Sequence, residues 1–313
     1  MASRNFTLHR IWAKQATIGF LGATTPSIWS AFVGAFEHKL RNLGWIDGSN
    51  IAIEYGWAHG NKDRYAAIAQ KFVDREVDII VTSGTGPAIA AKNATSSIPI
   101  VVAAVGDPVG INLVKNLKRP GGNITGLSNG QTDLVVPRLL QLRKVVPRLK
   151  RLAVIGNRAS KNVQLEIEQI KKNAGKLGIG TVIVLPNIER AAQITPFIKG
   201  LQGKADALFV CTDPFITTHH VAINIAAAAA KLPTMHAFRD YVEAGGLMSY
   251  GPDFRAMFAN AAALVDRILR GADAGLIPIE IQATRELVIN HHTAKALGLT
   301  IHRGVSKRAT IIK

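Results

Sequence analysis

The residues of this chain with the most reactive chemistry are two aspartates, two histidine pairs and one cysteine. Asp107 and Asp213 could share general acid–base work if the fold brought them together. Each precedes a proline, however, and Asp-Pro is an ordinary turn and helix-start signal. His219-His220 and His291-His292 are adjacent in sequence, so on a helix their rings point apart and lack metal-ligand spacing. Cys211, the single cysteine, has no activating base beside it and reads as a small buried residue. Alone it builds neither a disulfide framework nor a Cys-rich zinc site. Ser83-Gly-Thr-Gly is not a GxxxxGK[ST] loop, and no complete GxGxxG follows the first strand, so nucleotide binding is unsupported. The expectation is a protein with no catalytic residue, no metal and no cofactor.

Small polar residues stand where strands end. Thr24 and Ser27 follow the first apolar run, Gly84 and Thr85 the third, Asp107 the fourth and Asn129 the fifth. In the second half, Asn157, Asp213 and Tyr250 hold similar places. Hydroxyls, amides and carboxylates of this kind can hydrogen-bond a small polar ligand. Helix N-termini at Ser27, Thr85 and Ser160 would favour its anionic group. The same residue types also serve as caps and turns. Only their convergence on one place would mark a site.

The elements that must position them alternate. Apolar runs at Thr17–Gly22, Ile51–Tyr55, Val77–Val81, Ile98–Ala104 and Ile124–Leu127 predict strands, with helices between. Ser27 reads as the N-cap of the first helix, and Gly44 as its stop. The pattern then restarts. Strands are expected at Leu152–Ile155, Thr181–Leu185, Ala205–Val210, about 233–236, Gly246–Ser249 and finally Glu286–Ile289. One alanine-rich helix is expected near 215–230. Strands separated by helical crossovers predict parallel sheets, and two such runs predict two doubly wound α/β lobes. Ligands of open α/β sheets sit beyond the carboxyl ends of the strands, here in a cleft between the lobes.

The chain has 313 residues and a formal charge of +17, from 38 Lys and Arg against 21 Asp and Glu. Residues 1–15 contribute +3, residues 138–176 contribute +9 and residues 303–313 contribute +4. The central stretch contains no aromatic residue, which weakens a base-stacking nucleic-acid platform, and no nucleic-acid partner is expected. Residues 1–15 read as a basic extension without the apolar run of an export signal. No run of apolar residues is long enough to cross a bilayer.

Several segments resemble one family of ABC-transporter substrate-binding proteins, the tryptophan/tyrosine transport family. The first is Leu43-Gly-Trp-Ile-Asp-Gly-Ser-Asn-Ile-Ala-Ile-Glu-Tyr55. Ser97–Gly110 and Arg119–Ser128 are more specific, and Tyr241–Gly251 and Leu287–Leu299 match as well. The matches run in order over about residues 16–300. The resemblance implies a type I periplasmic-binding-protein fold, two lobes joined by a three-stranded hinge. Lobe one would comprise 16–127 plus 252–277, and lobe two 128–251 plus 278–313. It implies a monomeric, extracytoplasmic, non-catalytic receptor that closes on a small ligand, such as an aromatic amino acid, and delivers it to an ABC permease.

Ligand positions carried over from the family fall at Thr24, Ser27, Gly84, Thr85, Asn129, Asn157 and Asp213. Two of these depart from its pattern. Asn157-Arg158 stands where the family has Asn-Pro, and Asn129 where Asp is commoner. Asp213 would then hold a ligand ammonium, and Ser27 or Thr85 its carboxylate. Trp29, Phe215 or Tyr250 would stack on its ring. Two other readings use the same architecture. One is an enzyme working through Asp107 and Asp213. The other is a small-molecule sensor coupled to DNA, which would need a helix-turn-helix ahead of the first strand.

Overall fold

The computed structural model describes residues 15–188 and 190–313, so the extension at 1–14 and Glu189 lie outside the described residues. Lobe one is built on a six-stranded sheet. Its strands are β1 (Ala16–Gly22), β2 (Ile51–Trp57), β3 (Ile79–Thr82), β4 (Ile100–Val105) and β5 (Ile124–Ser128), with a late addition, β11 (Glu280–Ile281). The order is β11-β5-β4-β3-β1-β2, parallel throughout. Strands buried on both faces read as continuous apolar runs, which is why Ile100–Val105 is fully buried.

Lobe two repeats this plan with β6 (Arg151–Ile155), β7 (Thr181–Val184), β8 (Ala207–Val210), β9 (Thr234–His236), β10 (Met248–Gly251), β12 (Glu286–Asn290) and β13 (Thr310–Ile312). The order is β13-β12-β10-β9-β8-β6-β7. One pairing departs from the all-parallel expectation: β12 runs antiparallel to β10, because the chain reaches it from lobe one rather than through a helix. Strand β13 was not expected and extends the edge beyond Glu286–Asn290.

A shared hydrogen-bond device shows how closely the lobes correspond. Asp78, ahead of β3, accepts the Thr17 N–H at 2.7 Å. Asp206, ahead of β8, accepts the Arg151 N–H at 2.8 Å in the matching place. Each pins the start of the central strand to its neighbour.

Three local details differ from the sequence reading. The first helix, Pro26–Asn42, is capped by Thr25, whose Oγ1 accepts the Ile28 N–H at 3.3 Å, while Ser27 sits exposed inside the first turn. Pro26 at the first helical position places the cap immediately before it. The alanine-rich helix breaks at His219 into Pro214–Thr218 and His220–Ala229. The third crossing between the lobes lies at 282–285, later than residue 278, because β11 pairs with β5 in the first sheet.

The chain crosses between lobes three times: after β5, after β10 and between β11 and β12. The second crossing sends helix Phe254–Leu269 back onto helix Pro26–Asn42, where Met257, Phe258, Ala261 and Val265 join the core of lobe one. Lobe two has a separate core on each face of its sheet. No helix among the described residues is long and apolar enough to cross a membrane.

Candidate functional site

In each sheet the chain order reverses beside the first strand, between β1 and β3 and between β6 and β8. The loops leaving these strands diverge, which opens a crevice at their carboxyl ends. The two crevices face each other and enclose a cavity of about 60 Å³. Its floor carries Trp29, Ser83, Gly84, Thr85, Gly106 and Asn129 of lobe one and the hinge. Its roof carries Ser160, Asn162, Thr212, Asp213 and Thr217 of lobe two. A wider mouth of about 720 Å³ shares Thr85, Ser160 and Asp213 with the cavity, and it adds Asn157, Lys161, Phe215 and His219.

One end of the cavity is aromatic. Phe254, from the second hinge crossing, meets Phe32 at 5.0 Å and Phe238 at 4.3 Å between ring centroids. Tyr241 stands against Phe238 at 5.8 Å. Thr217 donates to the Asp213 carbonyl at 2.9 Å, so its oxygen receives the Tyr241 hydroxyl at 2.6 Å. That bond ties the aromatic wall to the Asp213 turn.

The other end is polar, and its hydrogen bonds define what it lacks. Asp213 Oδ1 accepts the N–H groups of Phe215 and Ile216, and Oδ2 accepts that of Asn157 at 3.0 Å. Burial pushes its carboxyl up to about 6, with these backbone donors opposing the shift. Asn162 is buried and its amide orientation is set. Nδ2 donates to Glu166 Oε1 at 2.9 Å, which leaves Oδ1 unpartnered at the cavity. Asn129 Oδ1, both side-chain polar atoms of Gln131, Thr212 Oγ1 and Trp29 Nε1 are also buried and unpartnered. Buried polar groups are nearly always satisfied, so this concentration makes the cavity the candidate ligand site. Helix Thr85–Ala94 aims its N-terminus here. Its first internal bond runs from Ala88 N–H to Gly84 O, so the N–H groups of Thr85 and Gly86 precede the ladder.

Of the residues expected from sequence, Gly84, Thr85, Asn129 and Asp213 line the cavity, and Asn157 lines its mouth. The others lie elsewhere. Thr24 is buried below the first loop, and Ser27 points to Thr25 in the exposed first turn. Asp107 accepts the Gly110 N–H at 2.8 Å and closes a tight turn, and unlike Asp213 it lines neither the cavity nor its mouth. Tyr250 gives its carbonyl to Arg138 in the hinge. Trp29 reaches the cavity and Phe215 only its mouth. Sequence reasoning missed Asn162, Phe32, Phe238 and Phe254. Helical spacing makes Phe32 and Phe254 look like core, Phe238 lies in the extended turn before helix Arg239–Glu243, and Asn162 sits in the first turn of helix Lys161–Ala174.

Behind Asn162 lies a buried ion pair. Arg138 Nη1 stands 3.8 Å from Glu166 Oε2, both side chains shut off from solvent. Arg138 Nε donates to the Tyr250 carbonyl at 2.8 Å. Burial works against both charges, pushing the Glu166 carboxyl up and the Arg138 guanidinium down, while the charge of each partner opposes the shift of the other. The wall of the cavity is thereby connected to the second hinge strand. Cys211 is buried, and its thiol is raised well above the usual range by desolvation. Among the described residues, no group of three His, Cys, Asp or Glu side chains gathers to hold a metal.

The lobes touch across the cleft at three glycines of lobe one. A Cβ on Gly106 would lie 1.8 Å from Asn162 Oδ1, one on Gly60 would lie 2.8 Å from Thr218, and one on Gly84 would lie 3.4 Å from Pro214. The lobes are therefore closed on each other.

Two facing doubly wound lobes, three hinge crossings and a cavity at the strand ends define a solute-binding protein of the type I periplasmic-binding-protein class. The chain belongs to the ABC transporter substrate binding protein family, whose model matches residues 24–313. It is 33% identical over 288 residues to a tyrosine-binding protein of Clostridioides difficile strain R20291, covering 91% of this chain and 82% of that protein. A Streptococcus pneumonia ABC domain solved in complex with L-Trp superposes with a TM-score of 0.87 at 26% identity, covering 95% of this chain and all of that one. A ligand-free, open substrate-binding protein with adhesive properties from Clostridium difficile gives 0.69 at 28% identity, covering 95% and 99%. This chain superposes better on the L-Trp complex than on the ligand-free, open structure, and its own glycine contacts place the lobes against each other. The family implies a small-molecule ligand and an ABC permease partner.

Proposed function

We propose that this protein binds an aromatic amino acid between its lobes outside the cytoplasmic membrane and, as a monomer, hands it unaltered to an ABC permease. The observation that carries this reading is the division of one cavity into an aromatic end and an end of unpartnered hydrogen-bonding groups. The ligand carboxylate lies at the Thr85 and Gly86 N–H groups, where a helix N-terminus favours negative charge. The ammonium lies between Asp213 and Asn162 Oδ1, which are acceptors. The ring lies among Phe32, Phe238 and Phe254. The tyrosine-binding relative and the L-Trp complex support the same ligand class. Hydrogen bonds to charged groups contribute about 1.5–3 kcal/mol each. Three or four of them with one buried ring reach the roughly 8 kcal/mol of a micromolar complex after the cost of closure.

Titration calorimetry with the twenty amino acids, a sugar panel and simple carboxylic acids tests this. Micromolar binding confined to tyrosine, tryptophan or phenylalanine is expected, with the ligand recovered unchanged by mass spectrometry. Binding only to aliphatic or sugar ligands would overturn the aromatic assignment. A chemically altered ligand would overturn the receptor reading and favour an enzyme.

A further inference from the structure

The large positive charge is not used by the cavity, and the fold gathers much of it in one place. Parallel strands β7, β6, β8 and β9 lie side by side, with their amino ends on the edge of lobe two farthest from the cleft. The segment entering each strand carries an exposed lysine: Lys176, in a single 3-10 turn, before β7, Lys150 before β6, Lys204 before β8 and Lys231 before β9. Neighbouring strands are about 4.8 Å apart, so the row is about 15 Å wide. Helices end on the same edge and add Lys144 and Lys172 in their last turns. Asp206 is the acid among these entering loops, and it is occupied by Arg151 at 2.7 Å. None of the six lysines forms an ion pair among the described residues.

Cations at helix C-termini complement the helix dipole, which accounts for Lys144 and Lys172. It does not account for the lysines in the loops. Lobe one supplies the internal control. Its corresponding edge has the same architecture but is of mixed sign, with Asp47, Asp74, Glu76 and Asp78 standing among Lys39, Arg41, Lys71 and Arg75. The uniform sign is therefore a property of lobe two and not of the fold.

We infer that this edge is a docking surface for anionic phospholipid. Its cations are spread over several loops across a broad row, which suits a plane of charge better than one small anion. The stretch 138–176 has no aromatic side chain for stacking on bases, which disfavours single-stranded nucleic acid. A protein that serves a membrane permease also meets a bilayer as its nearest extended surface. Each cation near an anionic leaflet multiplies partitioning about fivefold, and the attraction weakens as salt shortens the screening length.

Flotation with phosphatidylglycerol–phosphatidylcholine vesicles, against phosphatidylcholine vesicles alone, tests the inference. The protein is expected to partition at least tenfold better onto the anionic vesicles at about 50 mM salt, and to lose that preference near about 500 mM. The K150Q/K176Q/K204Q variant is expected to lose at least tenfold in anionic-vesicle binding, with unchanged thermal unfolding and unchanged amino-acid affinity. Equal binding to both vesicles, or salt-insensitive binding, would overturn the inference. Unchanged vesicle binding by the variant would also overturn it, as would retention on duplex DNA without vesicle binding. Amino-acid affinity is measured separately, so failure here is distinguishable from failure of the receptor reading.

Discussion

Asp213 and Asn162 do different work at the polar end of the cavity. Asp213 has a carboxyl raised to about 6 by burial, so it ionises across the range where a ligand ammonium would need it charged. The free amino acid does not titrate between pH 5 and pH 8. Affinity is therefore expected to be flat above about pH 7 and to fall by up to tenfold per unit below about 6. Folding stability should move the other way at this group. A carboxyl raised above its unfolded value holds more protons when folded, so its contribution is lost as pH rises through about 6. Asp213→Asn should weaken binding by at least about tenfold and abolish the pH dependence, checked by calorimetry from pH 5 to pH 8. Asn162→Ala should also weaken binding about tenfold or more but leave the pH dependence in place. Loss of the pH dependence in Asn162→Ala would mean that the titrating group is not Asp213.

The elements explain both what could be read beforehand and what could not. Helices and strands announced themselves through periodicity, so the two lobes and the cleft were legible in the residues. Strands of two or three residues, such as Glu280–Ile281 and Thr310–Ile312, are too short to show a period, and they exist because a longer neighbour offers an edge. The loop residues Gly84, Thr85 and Asp213 were visible as breaks after apolar runs. Phe32 and Phe254 were not, because an aromatic on a helix face has the same pattern whether it meets a core or a ligand, and Phe238, in the loop before helix Arg239–Glu243, belongs to no periodic pattern. Asn162 was hidden for another reason: its meaning lies in which way Glu166 turns its amide.

Closure is also set at this scale. Gly106 has no left-handed backbone that would require glycine, yet its Cβ would collide with Asn162 across the cleft. Gly106→Ala should leave unliganded thermal stability within about 0.5 kcal/mol, weaken ligand binding about tenfold and abolish ligand-induced compaction in small-angle scattering. A variant that compacts normally with ligand would show that this contact does not limit closure. The buried pair behind Asn162 gives a further expectation. Glu166→Ala leaves Arg138 without its partner and should cost about 3–5 kcal/mol in denaturant unfolding. Replacing both Arg138 and Glu166 by Met should restore most of that loss.

At the scale of the whole molecule, the three crossings make each lobe depend on distant parts of the chain. Phe36 and Phe258 lie in the same core although helix Phe254–Leu269 comes after nearly all of lobe two. Lobe two in turn needs β12 and β13, which come after β11 has returned to lobe one. A growing chain cannot finish either lobe in passing. Until about residue 269 has been made, the core of lobe one lacks helix Phe254–Leu269. Until residue 312 has been made, the second sheet lacks its last strand. Synthesis therefore leaves a long interval in which the chain is apolar, incomplete and still pliable, and both lobes mature almost together at its close. Such a chain commits to its shape late, and cutting it at the boundary after β10 would leave two incomplete lobes rather than one finished domain.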